Sequence, residues 1–86
     1  MRPTEIDAQV KQRPFVPFRM HLSDGSHYDV RHPETILVAQ RAIALTIYGR
    51  PGDRMPERLV MCDPMHVTRL EQIDGEDAQP MSSPNT

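Results

Sequence analysis

Between Phe18 and Arg31 the chain alternates apolar and polar positions on both sides of a Ser23-Asp24-Gly25 turn. Alternation with a period of two around turn residues predicts an antiparallel hairpin. Before the turn Phe18, Met20 and Leu22 interleave with Arg19, His21 and Ser23; after it Tyr28 and Val30 interleave with His27, Asp29 and Arg31. A two-residue Asp24-Gly25 loop would set Leu22 opposite His27 and Met20 opposite Asp29. That register mixes the two faces, because a one-residue slip turns every side chain over. A three-residue loop with Gly25 at the left-handed position of a bulge keeps them apart. It pairs Leu22 with Ser26, Met20 with Tyr28 and Phe18 with Val30, and sets His21 across from His27 and Arg19 across from Asp29.

The pattern elsewhere predicts one short helix and four more strands. Pro3 to Asp7 reads as a helix start, with Thr4 as the cap and Asp7 three residues on. Ile6 and Val10 share one helical face, enough to dock two turns on a core. Pro14 and Pro17 end the helix and hold the following chain extended. After His32-Pro33-Glu34, Ile36–Val38 reads as a third strand, Ala39–Arg41 as a turn, and Ala42–Tyr48 as a fourth strand. Gly49–Glu57 is a loop by composition, Arg58–Cys62 a fifth strand, and Val67–Ile73 a sixth. Asp63-Pro64-Met65-His66 forms a single helical turn, with Asp63 capping and Pro64 at the first position.

Length and composition set limits on this picture. With 86 residues there is room for one domain, expected over 1–73, followed by a flexible tail over 74–86 of Ser, Pro, Asn, Gln and acids. The net charge is −2, and residues 1–73 carry ten basic and nine acidic side chains. A near-neutral domain lacks a strongly basic nucleic-acid footprint. Nine of the ten basic residues are Arg, which favours planar, bidentate contacts. Cys62 is the sole cysteine, so no internal disulfide and no thiolate cluster can form; its apolar neighbours predict a buried strand thiol. The start has no apolar signal-like region and no run of about 18 apolar residues occurs, so a cytoplasmic protein with no membrane association is expected.

Closely spaced short strands, an N-terminal helix and a helical turn before the last strand predict a small, mainly β barrel of five to six antiparallel strands. Closure would remove the open sheet edges of so short a chain. On these features the stretch Arg19–Tyr48 resembles the SH3-like and Sm-like barrels. That resemblance implies nucleic-acid binding as one possible activity. More broadly, Pro17-Phe18-Arg19, His21-Leu22-Ser23-Asp24-Gly25, Val30-Arg31-His32-Pro33-Glu34 and His66-Val67-Thr68-Arg69-Leu70-Glu71 are similar to a group of small uncharacterised bacterial proteins. That similarity implies no activity.

Four groups of side chains can carry chemistry. His21 and His27, facing each other across the hairpin with Asp29 beside them and His32 just beyond, are the metal candidates. Arg31, His32 and Glu34 can form a ligand-binding edge, although Pro33 also explains the strand break on its own. Asp63 and His66, three residues apart, have the pairing general acid–base catalysis uses, against a plainer role as cap and surface histidine. Arg50, Arg54 and Arg58 bring positive charge to one loop, suited to phosphate or an acidic partner. The chain has four aromatic residues, of which Phe18 and Tyr28 face inward, leaving little surface for stacking bases.

No catalytic constellation or cofactor motif emerges. The leading expectation is a non-enzymatic interaction module that binds a protein partner or a second copy of itself through a sheet edge and the 49–58 loop, with Val60 and Cys62 as the apolar face. Its candidate surface comprises His21, His27, Arg31, His32, Arg50, Arg54 and Arg58. Nucleic-acid binding by an Sm-like barrel and His-based metal binding on the first hairpin stand as alternatives.

Overall fold

In the computed structural model, which describes residues 1–73, the chain runs through α1 (Pro3–Lys11), β1 (Phe18–Leu22), β2 (His27–Val30), β3 (Ile36–Val38), β4 (Ile43–Ile47), β5 (Arg58–Cys62) and β6 (Val67–Gln72). Single 3-10 turns occupy Pro33–Thr35 and Pro64–His66. All predicted elements form, with β4 a residue shorter at each end than its apolar pattern suggested. The tail expected over 74–86 lies outside the described residues.

The first hairpin adopts the three-residue loop. Phe18 pairs with Val30, Arg19 with Asp29, Met20 with Tyr28 and His21 with His27. Leu22 N–H donates to the Ser26 carbonyl at 2.9 Å, and Gly25 N–H donates to the Leu22 carbonyl at 3.0 Å. Asp24 Oδ1 accepts from both the Ser26 N–H (2.9 Å) and the Ser26 hydroxyl (2.6 Å), and these bonds hold the Asp24 carboxyl below its ordinary value. Gly25 has φ of +90° with open space where a Cβ would sit, so strain alone opposes a side chain there. Gly25→Ala is expected to cost about 1–2 kcal/mol, read as a lower urea midpoint with an unchanged slope.

At the N-terminus the cap differs from the expected Thr4. Pro3 occupies the first helical position, where its missing N–H costs nothing, so the cap falls on Arg2. The Arg2 carbonyl accepts from Glu5 N–H at 3.0 Å and Ile6 N–H at 3.3 Å, and Glu5 Oε1 accepts from Arg2 N–H at 3.1 Å. Glu5 thus takes the reciprocal role assigned to Asp7, while Asp7 pairs with Lys11 one turn on at 3.0 Å. Ile6 and Val10 are buried as their spacing predicted.

The strands form two antiparallel three-stranded sheets, β2-β1-β6 and β3-β4-β5. The expected closed barrel does not form: among the described residues no ladder joins one sheet to the other. The reason is local. Closure needs strands long enough to bend from one sheet into the next, and these span three to six residues. β2 also runs into the Pro33 turn and β5 into the Pro64 turn, and proline removes the ladder donor that continuation would use. The core lies between the sheets and α1: Ile6, Val10, Phe18, Met20, Val30, Ile36, Ile43, Leu45 and Val67 are buried. Ser23 N–H donates to the His66 carbonyl at 2.8 Å, which ties the hairpin tip to the turn before β6.

Candidate interaction surface

The two sheets present outer faces of opposite character. On the first sheet that face is a polar lattice. Arg19 on the central strand stands between Asp29 on β2 and Glu71 on β6, and His21 stands between His27 and Arg69. Arg19 donates to both Asp29 oxygens, at 2.7 and 3.2 Å, and Arg31 reaches the same carboxylate at 3.4 Å. Partial burial pushes the Asp29 carboxyl up, but the Arg19 hydrogen bonds and the charges of Arg19, Arg31 and His27 outweigh it, and the net shift is downward. A carboxyl whose folded value is depressed contributes stability above its unfolded value and loses it as pH falls through the folded one. Asp29→Asn is therefore expected to be less stable than the natural protein at pH 7, with the gap closing as the pH is lowered beyond the ordinary Asp value of about 3.9. Urea unfolding at both pH values checks this.

The metal reading meets a competing partner on the same face. The His21 and His27 rings lie with centroids 5.8 Å apart, as the register predicted, but His21 Nε2 is 2.9 Å from Glu71 Oε1. That contact, with the charge on His21, lowers the Glu71 carboxyl. Among the described residues no group of three His, Cys, Asp or Glu is placed to hold a metal ion.

The proposed Asp63–His66 pairing does not form through side chains. Asp63 Oδ1 accepts the Met65 N–H at 2.8 Å, the capping role, while His66 Nδ1 meets Ser23 Oγ at 3.2 Å on the exposed surface. The cap needs the carboxylate turned toward the backbone of its own turn, which removes it from the imidazole.

Part of the candidate surface converges in an open groove of about 530 Å³ lined by Arg31, His32, Glu34, Tyr48, Arg50 and Asp53. Asp53 Oδ2 accepts the Arg50 N–H at 3.0 Å and the Asp53 N–H donates to the Arg50 carbonyl at 3.2 Å, so Arg50 sits on a closed turn. Arg54 and Arg58 are not among the residues lining this groove, and His21 and His27 belong to the polar face of the first sheet. Arg31, which reaches Asp29 on that polar face, also lines the groove. Two acids, Glu34 and Asp53, balance its two arginines, which leaves it without a strong net charge for an anion.

The second sheet carries the feature that residue-by-residue reading missed. Leu37 pairs with Ala44, and Ala44 pairs with Met61, so the three form one row across β3, β4 and β5 on the outer face. In the next row Thr46 pairs with Leu59. Leu37 is 71% exposed, Leu59 61% and Met61 62%, although all three lie within strands. The inward residues of β5 are Val60 and Cys62, which pack against the core. Val60 and Cys62, expected as an apolar contact face, therefore turn toward the core, and the exposed apolar side chains of β5 are Leu59 and Met61. Burial, with Asp63 nearby, pushes the Cys62 thiol up, away from the thiolate a nucleophile needs.

A sequence signal for this face did exist. Leu59, Val60, Met61 and Cys62 are apolar at both parities, and a strand covered on one side only must expose every second residue. Among the described residues no helix is long and apolar enough to cross a membrane. Comparison with protein-family models, curated proteins and solved structures finds no match to this chain.

Proposed function

We propose that this protein is a non-enzymatic interaction module that associates with a second copy of itself through the outer face of its second sheet. The observation that carries this reading is the Leu37–Ala44–Met61 row with Leu59 beside it, apolar side chains held in regular strands and left in water. Water-exposed apolar surface of this kind gains free energy on being covered. A second copy is the occupant favoured here because the same strand, β5, supplies both a sheet edge unpaired among the described residues and the exposed side chains, so two identical surfaces complement each other. The core is also small, nine buried apolar side chains among the described residues, and burying a further face adds to it. The former prospect of the 49–58 arginines as the contact gives way to the apolar row, whose burial supplies the larger driving force.

Light scattering on a chromatographed sample across a concentration series tests the reading. A mass that rises toward twice the 9.9 kDa chain mass is expected. A single-chain mass at every concentration up to the millimolar range, as an order of magnitude for weak association, contradicts it. Titration with RNA at low and high salt separates the nucleic-acid alternative, since phosphate contacts weaken steeply with salt.

A further inference from the structure

The segment around β5 is a near-palindrome in chemistry. Met55-Pro56-Glu57-Arg58-Leu59-Val60-Met61-Cys62-Asp63-Pro64-Met65 matches outward from Val60: Leu59 with Met61, Glu57 with Asp63, Pro56 with Pro64, and Met55 with Met65. Exposure follows the same symmetry. Of six large hydrophobics exposed in the described residues, four are Met55, Leu59, Met61 and Met65, paired at equal distances from Val60. The fifth, Leu37, joins them through the row across Ala44.

This symmetry bears on how two copies meet. β5 is the last strand of its sheet and pairs only with β4 among the described residues. Its five residues include no Pro or Lys, and Arg58 at its start is its one charged side chain. An antiparallel partner on a two-fold axis must pair residues whose numbers sum to a constant, and only registers that keep outward side chains together are compatible with one covered face. Centring the axis on Leu59 puts Met61 opposite Glu57, and centring it on Met61 puts Leu59 opposite Asp63. Centring it on Val60 puts Leu59 opposite Met61 twice and, on the outward face, strands no apolar side chain against a charge.

Resting on the self-association reading above, we infer that two copies join by antiparallel pairing of β5 with β5 about a two-fold axis at Val60. The product is a continuous six-stranded sheet, in the order β3-β4-β5-β5-β4-β3, in which Leu59 and Met61 of each copy cover one another across the new ladder. Pro56 and Pro64 limit the ladder to the seven residues between them, β5 and one residue on each side, because each lacks the N–H to extend it. The free edge gains its missing backbone partners, and the outer rows of both copies become neighbours. A stable interface removes about 800 Å² from each partner, roughly one-eighth of this chain's 5988 Å² surface. Glu57 and Asp63 of the second copy meet at the rim as like charges, which salt screens. Association is thus expected to tighten with added salt, the opposite of phosphate binding.

The geometry makes one pair decisive. In this register Arg58 stands directly opposite Cys62 of the second copy, at a Cα separation of about 4.5–5.5 Å, within the range a disulfide spans. Inside one chain the same two positions lie four residues apart along a strand, about 13 Å, too far to bridge. Arg58→Cys, incubated with oxidised glutathione, is expected to form a covalent dimer that runs at twice the chain mass on a non-reducing gel. The band should be lost in Arg58→Cys combined with Cys62→Ser, because the new thiol faces Cys62 rather than itself. Arg50→Cys, on the loop away from β5, should not form it. Circular dichroism on each variant confirms that the folded state is being tested.

If the natural protein associates by light scattering while Arg58→Cys fails to link to Cys62, the β5 register is overturned and self-association stands. If the dimer forms equally well without Cys62, the register is again overturned. A natural protein that remains single-chain throughout overturns both readings.

Discussion

Phe18→Ala is expected to remove about 3–5 kcal/mol of stability, a large share of what so small a domain holds. Residues 1–73 at about 0.05–0.15 kcal/mol per residue hold only some 4–11 kcal/mol in total. Phe18 is fully buried at the start of β1, the central strand of the first sheet, between Val30 on β2 and Gln72 on β6. Its ring meets Phe15 with centroids 6.1 Å apart and a tilt of 57°, a favoured aromatic geometry. Truncation removes the largest fully buried side chain from a core that has few others to collapse into the space. Urea unfolding followed by circular dichroism measures the loss. Phe15→Ala, at a half-exposed position, should cost clearly less. A Phe18→Ala loss under about 1 kcal/mol would mean that this position is not the centre of the core.

Met61→Asp is expected to abolish association while leaving the fold in place. In a two-fold interface each substitution acts twice. Taking about 1–2 kcal/mol for truncating a buried apolar anchor, the two sites together weaken the dimer by about 2–4 kcal/mol, or roughly 30- to 1,000-fold in Kd. The single-chain cost is small because the side chain already lies in water, 62% exposed; the change in strand propensity is worth at most about 1 kcal/mol. Sedimentation velocity of the natural protein, Met61→Asp and Met61→Leu makes the comparison. Met61→Leu should retain association, since it preserves the apolar volume. Loss of association in both variants would point to misfolding or to a different surface, and retention in both would remove Met61 from the interface.

Much of the fold was legible because its local signals were consistent with one another. The hairpin register followed from face separation alone: only the three-residue loop keeps Phe18, Met20, Leu22, Tyr28 and Val30 on one side, and Gly25 supplies the positive φ that loop needs. The Asp63 cap and Pro64 turn were equally local. What sequence pattern could not supply was the relation between sheets. Closure depends on how far strands bend and where Pro33 and Pro64 interrupt them, a property of the assembled chain. The candidate site suffered from the same gap. His21 and His27 were placed correctly opposite each other, yet Glu71, fifty residues on, reaches His21 only because β6 pairs with β1. Likewise Leu37 joins Met61 only through β4, so neither residue alone reads as part of a patch.

The most direct test is to record the amide resonances of the natural protein by NMR over a hundredfold dilution, because each residue then reports separately on its own surroundings. Self-association through the second sheet predicts that signals from Arg58–Cys62, with Leu37 and Ala44, shift together along one binding curve, while those of His21, His27 and Asp29 on the opposite sheet stay fixed. Resonances that do not move with dilution, or movement centred on the His21 and His27 face, would contradict it.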